Sequence, residues 1–527
     1  MDFLAAILPI AILIYVMTRK RPWPSHLALP FAAGLVYFTV LVYFRNDSNL
    51  VNATVVNGAL SAFTPISIIW GAILLSQTMR RSGAEHVISQ WLNGVSPNPV
   101  AQLMIVGWAF AFMIEGSSGF GTPAAIAAPL LVGLGFAPLR VAILALIMNS
   151  VPVSFGAVGT PMWFGFSPLA LSSSEMLSVS WKSALVQGAA ALFIPVMALR
   201  FVVSWSQIRR NLVYIYLSIL SCVVPYMLLA RFNSEFPSLI GGAVGFGLST
   251  LLARHQLGLA PHAGSEPQSG PPPNRRARLR AFTPYLLLIA VLVVTRVRFL
   301  PFRAWLNAES PAWTLDLGSL GQFSTSAALA LKLSSIFGTT STWSYNSLYV
   351  PALIPFGLVV LLCIPVLRIP LPIIREVVAD TTRRLRDPSI TLIGALIMVQ
   401  LMMVGGDRSK TMIIGRTFAD AVGGAWPFFA PWLGALGTFF AGSATVSNLT
   451  FGGIQSSIAQ TLDVDRDAIL ALQSVGAAMG NMVCINNIIA VGSIINLVNQ
   501  EGSILKRTVL PLLAYGLVAG LLGLALA

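Results

Sequence analysis

Glu115-Gly116-Ser117-Ser118-Gly119-Phe120-Gly121-Thr122-Pro123 stands inside an otherwise apolar region, 99–165, and its reading decides the fold. Three glycines, three hydroxyl residues and a proline within nine positions interrupt regular helix. The arms on either side are apolar enough to lie in lipid. Irregular backbone at membrane depth is tolerated only where it is buried in protein or lines a wet cavity. The run therefore reads as the tip of a hairpin that enters and leaves the membrane on one side. The plainer alternative is a Gly-rich kinked span packed for close contact.

A second region, 427–498, follows the same plan. Its breaks are Gly442-Ser443-Ala444-Thr445-Val446-Ser447-Asn448 and Gly480-Asn481-Met482, where the first region has 115–123 and Asn149-Ser150-Val151-Pro152. Short words recur between the halves. Gly71-Ala72 with Gln77, Met79 and Gly83 returns as Gly394-Ala395 with Gln400, Met402 and Gly406. At one constant offset, Gly116-Ser117 and Arg140-x-Ala-Ile-Leu-Ala-Leu146 return as Gly442-Ser443 and Arg466-x-Ala-Ile-Leu-Ala-Leu472. The helix at 71–79 runs into a basic cluster and its counterpart at 394–402 follows one, so the copies are expected to face opposite ways. Inverted repeats with broken helices are the pattern of secondary transporters, whose substrate site lies near the midplane. Coincidence between short apolar words is the alternative.

Composition sets the environment. Of 527 residues, 56% are apolar and 9% charged, against roughly 25% charged in soluble domains. Such a chain cannot clothe a water-facing surface and reads as an integral membrane protein. Continuous rather than alternating apolar runs exclude a transmembrane β-barrel. The net charge of +14 does not indicate nucleic acid, because the basic residues sit in short clusters between apolar runs: Arg19-Lys20-Arg21, Arg80-Arg81, Arg209-Arg210, Arg275 to Arg280, Arg383 to Arg386 and Lys506-Arg507. That is the pattern of cytoplasmic loops. The first apolar run has its basic cluster after it and no cleavage site, so it reads as a span and not a signal peptide. Both termini are expected outside.

The expected fold is an all-α polytopic membrane protein, an inverted-repeat secondary transporter with about 12 spans at ~20 residues each, two opposed re-entrant hairpins and two broken helices. Its expected divisions are N-terminal spans (1–59), a first repeat (60–253) with an inward-opening hairpin (99–137), and a cytoplasmic linker (254–281). Connecting spans follow (282–367) with an external segment (301–348), then a second, inverted repeat (368–527) with an outward-opening hairpin (427–462).

Glu115 is the acidic residue placed deep in an apolar region. An ionisable side chain there is expensive and marks a functional candidate. The expected role is proton coupling, the alternative a structural carboxylate held by the amides of Gly116 to Gly119. The candidate substrate ligands are uncharged: Ser117, Ser118 and Thr122 on the first tip, Ser443, Thr445, Ser447 and Asn448 on the second, and Asn149, Ser150, Asn481 and Asn486 on the interrupted helices. Asn487 neighbours the last of these. Such donors, with half-helix N-termini, suit a small anion. None of the four histidines falls mid-span, and Cys222, Cys363 and Cys484 have no metal spacing, so no cofactor and no metal are expected. Gly116-x-x-Gly119-x-Gly121 lacks the preceding strand of a nucleotide fingerprint. Gly405-Gly406-Asp407 resembles part of an intramembrane aspartyl protease motif, but a second buried aspartate is not evident. Lys332 falls in the external segment, where snorkelling is expected.

The run Glu115 to Phe136, EGSSGFGTPAAIAAPLLVGLGF, resembles the signature of the L-lactate permease family. So do Asn149 to Thr160, Phe428 to Asn448 and Gly480-Asn-Met482. The resemblance covers most of the chain. It implies import of lactate or a related 2-hydroxy monocarboxylate such as glycolate, coupled to protons, across the bacterial inner membrane. It also implies the fold of an ion-transporter superfamily with inverted repeats, opposed hairpins and often dimeric elevator motion, hence a possible homodimer. Where the family carries Asp or Asn after the second Gly-Ser, this chain has Ala444; where it reads Asn-Thr-Ala-Pro, this chain has Asn149-Ser150-Val151-Pro152. The alternatives are a Na⁺-coupled carrier, a carrier of another small anion (a dicarboxylate or sulfonate), a membrane-embedded enzyme and a passive channel.

Overall fold

Apolar helices, joined mostly by short turns, make up the chain. The computed structural model describes residues 1–19, 23–119, 122–261, 273–296, 300–350, 352–495, 497 and 500–527. Among them, eight helices are long and apolar enough to cross a membrane. They become nine if the bent pair Pro138–Met148 and Pro152–Leu169 is one span, and shorter apolar helices lie at Asp2–Met17 and Leu353–Leu367. The membrane-crossing part of the fold is all-α and polytopic. Ser48–Ser61 is a helix whose first turn Asp47 caps by accepting from the Leu50 amide at 2.9 Å. Leu371–Met403 is one 33-residue helix that carries Pro388 inside it.

The segment 301–348 adds a feature that composition alone does not announce, a four-stranded antiparallel sheet of β1 (Ala312–Asp316), β2 (Gln322–Ser326), β3 (Ala330–Ser334) and β4 (Trp343–Asn346) in that order. Its signal is alternation: Trp343 and Tyr345 are buried with Ser344 exposed between them, and exposed Lys332 of β3 precedes buried Leu333.

The chain divides into two units that each draw on both halves of the sequence. One comprises Met1–Ser82, Thr283–Gly423 and Ser456–Leu462, the other Gly83–Phe282, Gly424–Gln455 and Asp463–Ala527. In the first, Leu371–Met403 packs on Ser25–Val42, Ser48–Ser61 and Phe63–Arg81. A Cβ on Gly394 would come within 2.5 Å of the Pro30 nitrogen, and one on Gly58 within 2.9 Å of Ile397 Cα. In lipid, where apolar side chains gain little by leaving the solvent, such backbone approach is how helices attract. Arg81 ties the ends by pairing with Glu376 (3.2 Å) and Asp380 (2.8 Å). Asp407 is exposed and pairs with Arg416 at 3.5 Å.

The second unit holds the first hairpin, most of the second and both broken helices. The first hairpin climbs through Pro99–Gln102, a π-helical stretch Leu103–Phe110 and Ala111–Ser118. It turns at Gly119 (φ +55°) and descends as Thr122–Gly133. The second rises as Trp426–Ala441, turns at Gly442 (φ +74°) and descends as Ala444–Leu462. Its arms are stitched by Ser447 Oγ to the Gly434 carbonyl (2.7 Å), Gln455 Nε2 to the Ala430 carbonyl (2.9 Å) and Trp426 Nε1 to Gln455 Oε1 (2.8 Å).

Each hairpin is followed by a helix that breaks where its Asn-containing motif stands. Pro138–Met148 ends at Asn149 and continues through a 3₁₀ turn, Pro152–Phe155, with a bend of 62°. Ala157, Val158 and Gly159 then take left-handed φ of 42°, 56° and 71°. For a β-branched residue such as Val158 this costs about 1–3 kcal/mol. It is pinned by Trp163 Nε1 donating to the Val158 carbonyl (3.0 Å) and Thr160 Oγ1 to that of Ala157 (2.6 Å). The later helix, Arg466–Gly480, passes through a 3₁₀ turn, Asn481–Val483, and extended Cys484 before resuming as Ile485–Ile494.

Candidate functional site

Helix Ala111–Ser118 is set in place by backbone contact: a Cβ on Gly116 would overlap the Leu239 main chain, and one on Gly242 the Met113 main chain. Helix Pro237–Arg254 thus backs the first tip and fixes where its acid points. Glu115 is 3% exposed. Among the described residues its Oε2 accepts one hydrogen bond, from Asn149 Nδ2 at 3.2 Å, and its Oε1 occupies the space that a Cβ on Gly156 would need. The Gly119 amide donates to the main-chain carbonyl of Glu115 at 3.0 Å. Asn149, 1% exposed, ends the first half of the broken helix, and its Oδ1 has no hydrogen-bond partner among the described residues. The structure thus joins two predicted residues, 34 positions apart, with a glycine that the sequence reading passed over.

The hydroxyls of the first tip turn inward. Ser117 and Ser118 both donate to the Ile114 carbonyl (2.9 and 3.2 Å), and Ser150 donates to that of Ile147 (2.7 Å). These are local back-bonds that leave lone pairs but no free proton. Phe120 and Gly121 lie outside the described residues, as does the side chain of Thr122.

At the second tip, half-buried Ser443 accepts from the Val446 amide at 3.4 Å. Thr445 is 2% exposed with its hydroxyl unpartnered among the described residues. Ser447 and Asn448 converge on Gln473, whose Nε2 lies 3.2 Å from Ser447 Oγ and 3.4 Å from Asn448 Oδ1. Gln473 Oε1 in turn accepts from Gln455 at 3.0 Å. Asn481 Oδ1 accepts from Asn487 at 2.5 Å. Asn486 is exposed, with its amide against Gly442.

The break 149–161 is where the two halves of the chain meet. Val153 clusters with Ala444, Ala477 and Ala478. Ser154 Oγ lies 2.8 Å from Ser474 Oγ, and Asn448 Nδ2 donates to the Pro161 carbonyl at 2.9 Å. Gln187 Nε2 donates to Ser154 Oγ at 2.7 Å and Tyr226 donates to Gln187 Oε1, so a buried polar chain runs from helix Leu212–Ala230 to the second broken helix. Sequence reading missed Ser154, Gln187, Tyr226, Gln455, Gln473 and Ser474. A search for uncharged amides inside apolar runs would have found the three glutamines. Among the described residues, no group of three or more His, Cys, Asp or Glu is placed to hold a metal. The arrangement is thus one buried acid, with amides and hydroxyls around the same break.

Comparison with known proteins covers nearly the whole chain. The family model described as L-lactate permease matches residues 2–527. A putative L-lactate permease of Haemophilus influenzae is 51% identical over 521 residues, spanning 99% of this chain and 98% of that protein. The glycolate permease GlcA of Escherichia coli K12 is 24% identical over 548 residues, spanning 99% and 95%. Among solved structures, the YdaH transporter of Alcanivorax borkumensis aligns over 99% of this chain and 98% of its own, at 13% identity and a TM-score of 0.47.

Proposed function

Since the chain belongs to the L-lactate permease family, we propose that it imports a small 2-hydroxy monocarboxylate, lactate or glycolate, in symport with a proton across a bacterial inner membrane. The observation that carries the proton part is Glu115, buried at a hairpin tip with a single hydrogen-bond donor among the described residues. A carboxylate meant to stay ionised in a low-dielectric interior collects several donors or a cation, because desolvating a lone charge is costly. Glu115 has one amide and a glycine wall, which suits an acid that takes up a proton and gives it back. The proton neutralises Glu115 at the open face, the substrate carboxylate binds among the amides and hydroxyls around the break, and the loaded site crosses without the penalty of unpaired charge. Thr445, with its buried hydroxyl at the start of a long helix, is the second-tip group best supplied to meet a carboxylate.

The test is uptake into vesicles reconstituted with the purified protein. An inward proton gradient drives concentrative lactate accumulation in the wild type. Glu115→Gln abolishes accumulation while lactate-for-lactate exchange persists. Accumulation that survives this substitution and still follows the gradient would refute the role of Glu115. Replacing Na⁺ by K⁺ should leave wild-type uptake unchanged.

A further inference from the structure

Asn149 turns one end of its amide to the acid and leaves the other unused. Its Nδ2 donates to Glu115 Oε2 at 3.2 Å, while its Oδ1, in a side chain 1% exposed, meets no donor among the described residues. The two ends are nearly isosteric but chemically opposite, one a double donor and the other an acceptor. A half-turn about χ2, a soft twofold torsion, exchanges them without altering the packing. We infer that Asn149 is a positioning residue that reads the protonation state of Glu115 and reports it to the substrate. The inference rests on the reading of Glu115 as the proton carrier.

The chemistry follows from donor and acceptor counting. With Glu115 ionised, its oxygens only accept, so Asn149 must turn Nδ2 toward it and show Oδ1 to the space around the break. A carbonyl oxygen facing that space repels a carboxylate. When a proton from the aqueous side adds to a Glu115 oxygen, the new O–H becomes a donor and Asn149 Oδ1 is its natural acceptor. The amide turns, and its NH₂ is released toward the substrate as a donor for the carboxylate. No bond to carbon forms or breaks; one proton is gained by Glu115 and one hydrogen bond changes direction. Binding order follows, proton first and anion second, which prevents either from crossing alone.

The surroundings leave this pair isolated. The ionisable side chains on elements packed against the first tip are Tyr214, Tyr216, Cys222 and Tyr226 on helix Leu212–Ala230, Glu235 beside Gly159, Arg140 at the start of the broken helix, and Arg254 at the far end of Pro237–Arg254. Among the described residues none of these is hydrogen-bonded or ion-paired to Glu115. Gly156 occupies the other carboxylate oxygen's side with bare main chain, so among the described residues the amide of Asn149 is the group placed to sense the proton.

The test is L-lactate affinity against pH for the full-length protein in nanodiscs, in wild type, Glu115→Gln and the near-isosteric Asn149→Leu. One-proton linkage makes wild-type affinity fall by about tenfold per pH unit on the alkaline side. Gln at 115 offers a permanent donor to Asn149 Oδ1, so its affinity is pH-independent and matches the wild type in acid. Leu at 149 has no amide to turn, so binding is weak, by roughly tenfold or more relative to acid wild type, and flat with pH. If Asn149→Leu keeps the wild-type slope, bare charge repulsion by Glu115 suffices and this inference fails while the symport reading stands. If Glu115→Gln keeps the slope, or the wild type has none, the symport reading fails beneath it. Should Asn149→Leu not fold, infrared difference spectra of the wild type between mildly acidic and mildly alkaline buffer decide. A carboxylic C=O band that is absent in Glu115→Gln must be accompanied by a shifted Asn side-chain amide band, and an unshifted amide overturns the inference.

Discussion

Glu115 and Gly156 share one space: Oε1 of the acid lies where the Cβ of any other residue at 156 would be. The glycine stands at the end of the 3₁₀ turn, directly before the left-handed run 157–159, so main chain and carboxylate press together with no side chain between them. Gly156→Ala is expected to push Glu115 away from Asn149 and cut gradient-driven uptake by about a hundredfold, as misplacement near 1 Å does at a reacting group. The expected loss of melting temperature is small by comparison. Initial uptake rates and a thermal melt of the same preparation check it.

The chain Tyr226–Gln187–Ser154–Ser474 is fully buried. Gln187→Leu strands the Tyr226 hydroxyl and leaves Ser154 with Ser474 alone, at a cost of about 1–3 kcal/mol for the stranded polar group. A lower denaturation midpoint in detergent is expected. Gln187→Glu should retain more stability at acid pH, where the side chain can still donate.

Helix contact through glycine makes a paired prediction. A Cβ on Gly476 would overlap the Pro431 carbonyl, whereas one on Gly502 meets nothing within 4 Å. Gly476→Ala should wedge Arg466–Gly480 away from Trp426–Ala441 and cost about 3 kcal/mol or more. Gly502→Ala, in an ordinary helical position, should be neutral or stabilise by up to about 1 kcal/mol. Yield and midpoint of the two variants, measured side by side, test the packing.

How much of this was legible in the sequence differs between backbone and side chains. Both tips and both broken helices stand at the glycine, proline and asparagine clusters that mark them, because backbone breaks in lipid need those residues and little else produces them. The sheet at 312–346 was not legible from composition: Ser, Thr and Trp enrichment describes an external loop equally well, and only the alternation in Trp343-Ser344-Tyr345 separates the two. The donor set was the least legible. Ser117, Ser118 and Ser150 look like ligands in a list of residues, yet at φ and ψ of a helix their hydroxyls reach the carbonyl three or four residues back. Conversely, Gln473 and Gln187 look like isolated polar residues in apolar runs until folding brings Ser447, Asn448 and Ser154 to them.

Outside the membrane-spanning segments, Asp465 supplies a pH dependence with a definite sign. Partial burial pushes its carboxyl up, but hydrogen bonds from Lys182 and from the Ala468 amide outweigh this and hold it below the usual aspartate value. A folded value under the unfolded ~3.9 means a stabilisation present above that pH and lost as pH falls through the folded value. Because the pair is partly exposed and screened, the effect at neutral pH is about 1 kcal/mol or less. Asp465→Asn should therefore lower the melting temperature slightly at neutral pH and converge on the wild type in acid, and high salt should shrink the difference.

The most direct test counts protons and lactate entering the same vesicles. With a pH-sensitive dye inside and labelled lactate outside, one proton should enter per lactate and no net current should accompany them. In Glu115→Gln, lactate exchange should persist with no proton movement. Lactate entry with no proton in the wild type, or an unchanged one-to-one ratio in Glu115→Gln, would contradict the account.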